Sequence, residues 1–467
     1  MDYLSTRGQA PRQPFLDAML AGLARDGGLY TPDVVPTLDA AAISALAGAP
    51  YPEAAARLMA PYLGAAWADP ELLAMTEDAY RGFRHAAKAP LVQLDDNLFS
   101  LELFHGPTLA FKDFAMQFLG RAMNRALVER NAHGVILGAT SGDTGAAAIE
   151  AFGGGERTDV FILFPHGRVS DVQRRQMTCV DRPGVHAIAI DGSFDDCQDI
   201  VKALFNDLAF RDEMSLSGVN SINWARILAQ VVYYFTSAVA LGAPHRAVSF
   251  AVPTGNFGDV LAGWYAKRMG LPISRLIVAT NENDILARAL ATGELKPAGV
   301  KPTQSPSMDI QVSSNFERLL FERLGRDAER LRGLMAALRQ SGGFTIPEDA
   351  LAAIRAEFDA YRCSEAECEG EMARAWEESE VLIDPHTAIG VHAARAALKR
   401  DPATPVIALA TAHPAKFPDA VKKATGVRPP LPAHLADLMR KPERVARLPN
   451  DARAVADYLK AHARMRS

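Results

Sequence analysis

The chain has 467 residues, more than one hydrophobic core normally supports, so two or three domains are expected. Hydrophobic residues make up 49%, charged residues 22%, and the formal net charge is −5, which excludes a disordered chain and gives no basic footprint for nucleic acid. Four cysteines (Cys179, Cys197, Cys363, Cys368) without paired C-x-x-C spacing, and scattered histidines with no H-E-x-x-H, favour free thiols in a reducing cytoplasm and disfavour metal catalysis.

The opening "MDYLSTRGQAPRQPFLDAML" lacks the apolar core of a signal peptide, and a cytoplasmic protein is expected. Residues 1–92 read as a mostly helical region, on the 3.6-residue periodicity of stretches such as "DAAAISALAGAPYPEAAARLMAPYLG". From 93 to 245 a smaller α/β domain is expected. It contains the β-branched runs "HGVILGAT", "DVFILFP" and "VHAIAI", each followed by a helical stretch, with Ser193 as the cap of the helix in "FDDCQDIVKALF". The run "ILAQVVYYFTSAVALGAP" is polar-interrupted and reads as a buried helix rather than a membrane span. From 246 to 467 a larger α/β domain repeats the beat in "AVSFAVPTG", "RLIVATN" and "PVIALAT", with a helical insertion at about 296–380. Strands alternating with helices over this length predict two interleaved three-layer αβα domains with mainly parallel sheets.

Chemistry-bearing residues fall at the strand-to-helix junctions. In "HGPTLAFKDF", Lys112 stands between Phe111 and Phe114, where a lysine either snorkels to water or is held dry as a nucleophilic amine. "VPTGNFGDVLAG" ends a strand in a glycine-flanked turn, with Gly255 and Gly258 available for unusual torsions. Such a turn holds a phosphate or is a tight connection capped by Asp259. "LGATSGDTGAAA" offers the hydroxyls of Thr140, Ser141 and Thr144 to a carboxylate or second phosphate, or a plain cap from Ser141 or Asp143. "NSINWAR" gathers Asn220, Ser221, Asn223 and Arg226 into a stretch apt for an anion, and Thr411 of "TAHPAKF" lies at a strand end. Neither a P-loop, a nucleophile elbow nor a G-x-G-x-x-G after a strand is present. Taken together, a dry lysine, a phosphate cradle and hydroxyl-rich strand ends point to an aldehyde cofactor carrying a phosphate, joined to lysine as a Schiff base.

On "STRG", "ELFHGPTLAFKDFA", "GATSGDTGAAA", "FDDCQDIVKALF", "NSINWARILAQ", "PTGNFGD", "ATNENDIL", "SPSMDIQVSSNFERLL" and "TAHPAKF", which cover nearly the whole chain, the sequence resembles the longer threonine synthases of fungi and many bacteria. These are pyridoxal-phosphate enzymes of the tryptophan-synthase-β fold type (fold type II). The resemblance implies pyridoxal 5′-phosphate on Lys112, its phosphate held by Gly255, Asn256, Phe257, Gly258 and Asp259, and its ring nitrogen by Thr411. It further implies that Ser141 and Thr144 hold the substrate carboxylate or phosphate, and that Asn220, Ser221 and Arg226 hold the phosphate of O-phospho-L-homoserine. The implied reaction is γ-elimination of phosphate and β-addition of water to give L-threonine, by a monomer or homodimer with no nucleic-acid or membrane partner. The rival readings are a phosphohomoserine lyase or an amino-acid dehydratase of the same fold, or a binding protein that keeps only the scaffold. Arg7 of "STRG" is expected to close over the substrate phosphate.

Overall fold

Two parallel sheets are built from one chain in the computed structural model, which describes residues 1–218 and 220–464. The larger sheet has six strands in the order Phe358–Arg362, Ile273–Thr280, Val248–Pro253, Val406–Ala410, Leu98–Glu102 and Leu91–Asp95, and only the last pairing is antiparallel. The smaller sheet runs Ala446–Leu448, Val185–Ile190, Thr158–Pro165, Gly134–Ala139 and Leu216–Ser217, parallel throughout.

The central strands Val248–Pro253 and Thr158–Pro165 are buried at every residue, because helices cover both faces of each sheet. Successive side chains go to opposite cores, as the two-residue period of a strand requires. Val248, Phe250 and Val252 join one apolar cluster, whereas Ala251 joins another with Ala388, Ile389 and Val391 of the helix Pro385–Leu398. The architecture is the expected one: two interleaved αβα units of mainly parallel sheet.

Sheet membership departs from the linear division at residues 93 and 246. Strand Leu91–Asp95, which straddles the boundary at 92/93, and strand Leu98–Glu102, read with the smaller domain, belong to the larger sheet, where Leu98–Glu102 pairs with Val406–Ala410. Conversely, Ala446–Leu448 and the helix Ala452–His462 return to the smaller one, the helix burying Val455 and Leu459 against Ile188 and Ile190. The expected insertion at 296–380 also contains an edge strand of the larger sheet, Phe358–Arg362, whose "FDAYR" lacks a long β-branched run. At the N-terminus, helices such as Tyr51–Leu63 and Asp69–Tyr80 accompany a three-stranded antiparallel sheet of Gln13–Pro14, Asp2–Ser5 and Tyr30–Pro32.

The apolar run after Arg226 forms the helix Trp224–Ala240, almost wholly buried, and no helix among the described residues is long and apolar enough to cross a membrane. Tyr233 and Tyr234 on this helix reach into the larger unit, where Tyr234 packs on Phe250 with ring centroids 4.7 Å apart. Between the carboxyl ends of the two sheets lies a cavity of about 1090 Å³, lined by Ala139, Pro165, Pro253, Thr254 and Thr411 at strand ends. That edge is where an open α/β sheet binds its ligands.

Candidate active site

Lys112 opens the helix Lys112–Glu129 and faces the cavity, its side chain only 11% exposed. Its place is fixed by a short antiparallel contact. Phe111 N–H donates to the Thr411 carbonyl (2.9 Å) and His413 N–H to the Leu109 carbonyl (3.0 Å), with Ala110 paired to Ala412. This ties the start of the lysine helix to the end of the strand Val406–Ala410 and sets Lys112 and Thr411 on one wall. The two phenylalanines of the sequence motif divide the work. The Phe111 ring lies beneath the ammonium, 4.9 Å from Nζ, whereas Phe114, about 200° round the helix from Lys112, packs among Tyr51, Tyr80, Phe83 and Tyr233. Phe111 therefore shields the amine, and Phe114 anchors its helix.

Burial lowers the Lys112 amine from its ordinary range. Asp143 opposes this, while Lys416 and Arg226 push the same way as burial. A helix N-terminus also disfavours a cation. Asp143 is the first residue of the helix Asp143–Phe152, and its Oδ2 lies 3.7 Å from Lys112 Nζ. Its Oδ1 accepts from Lys416 Nζ at 2.7 Å and from Gln173 Nε2 at 2.8 Å. Burial alone would raise this carboxyl, but the two lysines and the Gln173 amide hold it well below the usual carboxylate range. Neither Ser141 nor Asp143 caps the helix. Thr140 Oγ1 accepts from Gly142 N–H and Gly145 N–H (both 2.9 Å), leaving Ser141 and Thr144 half-buried at the cavity. Gly142 has φ +146°, and a Cβ there would lie 2.4 Å from Gln173, so only glycine lets Gln173 reach Asp143.

The turn Thr254–Phe257 leads from the strand Val248–Pro253 into the helix Gly258–Arg268. The residue with left-handed torsions is Phe257 (φ +62°), not Gly255 or Gly258 as the composition predicted. Its ring is clamped between Phe316 and Phe358 (centroids 5.3 and 5.8 Å away), and that packing offsets the torsional strain. The glycines serve close approach: a Cβ on Gly255 would meet the Ser307 carbonyl at 3.1 Å, and one on Gly258 would meet Asn315 at 3.4 Å.

Behind the turn, Ser313 Oγ donates to the Gly255 carbonyl (2.7 Å) and Asn315 Nδ2 to the Asn256 carbonyl (3.1 Å). With its carbonyls held there, no protein acceptor among the described residues takes the N–H groups of Gly255, Asn256 or Phe257. A run of free N–H groups at a helix N-terminus is a cradle for a phosphate. Asp259 is turned elsewhere: it accepts from Tyr233 (2.7 Å) and Tyr234 (2.8 Å), and burial pushes its carboxyl up to about 6.

Asn220, Ser221 and Arg226 line the same cavity, Arg226 from the first turn of the helix Trp224–Ala240. Arg226 is buried, which lowers its guanidinium to about 10. Asn223 caps that helix, accepting from Ala225 N–H (3.1 Å) and donating to the Met19 carbonyl (2.8 Å). Arg7 is at the rim in a bidentate pair with Glu317 (3.2 and 3.1 Å), and Thr6 donates to the same carboxylate at 2.7 Å.

Three family models tile the chain: "Threonine synthase N terminus" matches residues 2–80, "Pyridoxal-phosphate dependent enzyme" residues 83–332, and "Threonine synthase, C-terminal" residues 387–459. A threonine synthase of Pseudomonas aeruginosa is 51% identical over 463 residues, covering 99% of this chain and 98% of its own. The chain belongs to the threonine synthase family. Among solved structures, the PLP-bound threonine synthase of Brucella melitensis is 58% identical with a TM-score of 0.97, covering 100% of both chains. The yeast threonine synthase has a TM-score of 0.93 at 38% identity, covering 99% of this chain and 98% of its own.

In this member of the family, Lys112, Ser141, Thr144, Asn220, Ser221, Arg226, the stretch Gly255–Asp259, Thr411 and Arg7 all line one cavity. The residues fit pyridoxal phosphate: a dry amine for its aldehyde and a turn of free N–H groups for its phosphate. Sequence reasoning missed the buried partners. These are Asp143 as the counter-charge of Lys112, Lys416 behind it, Ser313 and Asn315 behind the turn, and His386 on the cavity wall with Nδ1 2.7 Å from Asp384. All but His386 stand inside a quoted motif, but only the fold shows which motifs face one another. Cys363, Glu367 and His392 are grouped closely enough to hold a metal ion, and none of them lines this cavity.

Proposed function

We propose that this threonine synthase converts O-phospho-L-homoserine and water to L-threonine and phosphate with Lys112 as the cofactor lysine and proton carrier. The observation that carries the reading is the convergence of the dry Lys112 amine, the Gly255–Phe257 cradle and Arg226 on one cavity. Bound pyridoxal phosphate supplies an electron-withdrawing ring that stabilises negative charge beside the substrate amine. The cradle would hold the cofactor phosphate, and the Thr411 hydroxyl would meet the ring nitrogen without the charge an acid would bring. Ser141 and Thr144 hold the substrate carboxylate, and Asn220, Ser221 and Arg226 its phosphate, a planar guanidinium suiting that anion.

The Lys112 amine would take and return protons at the substrate Cα and Cβ, a role that burial favours by lowering its proton affinity. We place the enzyme in the cytoplasm as a monomer or homodimer without nucleic-acid or membrane partners, in keeping with its net charge of −5. Incubating the protein with pyridoxal phosphate and O-phospho-L-homoserine tests the reaction: equal amounts of phosphate and threonine are expected. Phosphate with 2-oxobutyrate instead would make it an eliminating enzyme that adds no water. Lys112→Ala should abolish the visible absorbance of bound cofactor, and its retention would remove Lys112 from this role.

A further inference from the structure

We propose that Lys416 is a positioning residue for Lys112: its ammonium occupies Oδ1 of Asp143, so that Oδ2 of the same carboxylate faces the Lys112 amine without capturing it. The proposal rests on the reading of Lys112 as the cofactor lysine. Lys416 ends the turn Pro414–Lys416, just past the strand Val406–Ala410, and is completely buried. A lysine is almost never buried this way unless it is paired. Its Nζ donates to Asp143 Oδ1 and to the Thr108 carbonyl, both at 2.7 Å, so it is held from two sides. Gln173, pinned against Gly142, fixes the other approach to Oδ1, and Ser307 Oγ lies 3.4 Å from Oδ2. At 3.7 Å, the Lys112 amine is near the carboxylate but outside hydrogen-bond contact. One carboxylate thus serves two amines unequally: Lys416 is bound and Lys112 is left available.

The remaining charges around Lys112 do not substitute for this arrangement. Arg226 on the helix Trp224–Ala240 is positive and acts in the same sense as Lys416. Asp259 on the helix Gly258–Arg268 is buried, its carboxyl pushed up to about 6, and is held by Tyr233 and Tyr234. Asp113, on the lysine's own helix, is pushed up to about 7 by burial and accepts from Thr108 N–H and hydroxyl. His413, which caps the Lys416 turn, is lowered to about 4 by burial, so it stays neutral. Asp143 is therefore the anion that decides how tightly Lys112 holds a proton, and Lys416 decides how much of that anion Lys112 sees.

A pH titration of the visible absorbance of the holoenzyme tests this, in wild type, Lys416→Gln and Asp143→Asn. Glutamine keeps a donor for Asp143 and Thr108 but not the charge. The midpoint should therefore rise by about one pH unit, a tenfold gain in proton affinity. The acid limb of the kcat/KM profile should move with it. Asp143→Asn removes the anion and leaves both lysines, so its midpoint should fall. A coloured Lys416→Gln holoenzyme with the wild-type midpoint, or a shift of both variants in one direction, overturns the proposal. If Lys416→Gln fails to hold cofactor, Asp143→Asn decides alone: an unmoved or raised midpoint overturns it. Failure of the underlying reading is distinct, since it appears as retained absorbance in Lys112→Ala.

Discussion

His413 ties the stability of the lysine wall to pH. Its Nδ1 accepts from Ala415 N–H (3.1 Å), capping the turn that carries Lys416, and its ring stands edge-on to Phe104 with centroids 5.2 Å apart. Burial, aided by repulsion from His105, lowers it from an ordinary 6.5 to about 4. A protonated Nδ1 cannot accept, so the cap and the neutral ring are lost together. Because the folded value lies below the unfolded one, the stabilisation is present above pH 6.5 and lost as pH falls through about 4. It amounts to about 3 kcal/mol at most. His413→Asn keeps an oxygen for Ala415 N–H without the titration, so its thermal midpoint should fall less steeply than wild type between pH 7 and 4. Parallel curves would remove His413 as the cause. At this scale, the motif residues are readable because each strand-to-helix junction spells its own hydroxyls, glycines and lysine. The Asp143–Lys416 pair is not, since the partners come from different sheets, and nothing in the composition marks Phe257 as the left-handed residue of its turn.

Among the elements, the helix Trp224–Ala240 shows how a cap can serve two masters. Asn223 is completely buried and satisfies Ala225 N–H on one side and the Met19 carbonyl of the N-terminal helix Phe15–Ala21 on the other. Asn223→Ala removes both bonds and leaves a buried carbonyl without its donor, at about 2–3 kcal/mol. Because Asn220, Ser221 and Arg226 flank the cap, KM for the phosphorylated substrate should rise with the loss of thermal midpoint. A variant that loses stability with KM unchanged would show that the segment keeps its shape without the cap. The long helices and buried strands are legible because their apolar runs have only one way to be buried. Phe358–Arg362, Ala446–Leu448 and the N-terminal strands are short or mixed in character, and they become strands through a neighbour's exposed edge rather than through their own pattern.

At the scale of the whole molecule, one buried guanidinium joins three parts that the sequence places far apart. Arg318, in the helix Phe316–Arg323, is fully buried. It donates twice to the Tyr30 carbonyl of the N-terminal sheet (2.9 and 2.7 Å), once to the Ile222 carbonyl in the substrate segment (2.6 Å), and to Asn315. Asn315 in turn holds the Asn256 carbonyl behind the phosphate cradle and the Ser221 carbonyl, both at 3.1 Å. The N-terminal region, the substrate segment and the cradle are thus set relative to one another by a single planar fork of donors, a geometry that an ammonium lacks. Arg318→Lys keeps the charge and the approximate length but reaches fewer of these acceptors. Each buried carbonyl left unpaired costs about 1–3 kcal/mol. The thermal midpoint should therefore fall, cofactor affinity should weaken, and KM for substrate should rise together in this one variant, although Arg318 itself does not line the cavity. Joint movement of the three quantities is the signature of a shared anchor. A drop in midpoint with both affinities unchanged would mean that the cradle and substrate segment are held by their local contacts, and that the N-terminal region is joined to them only by packing.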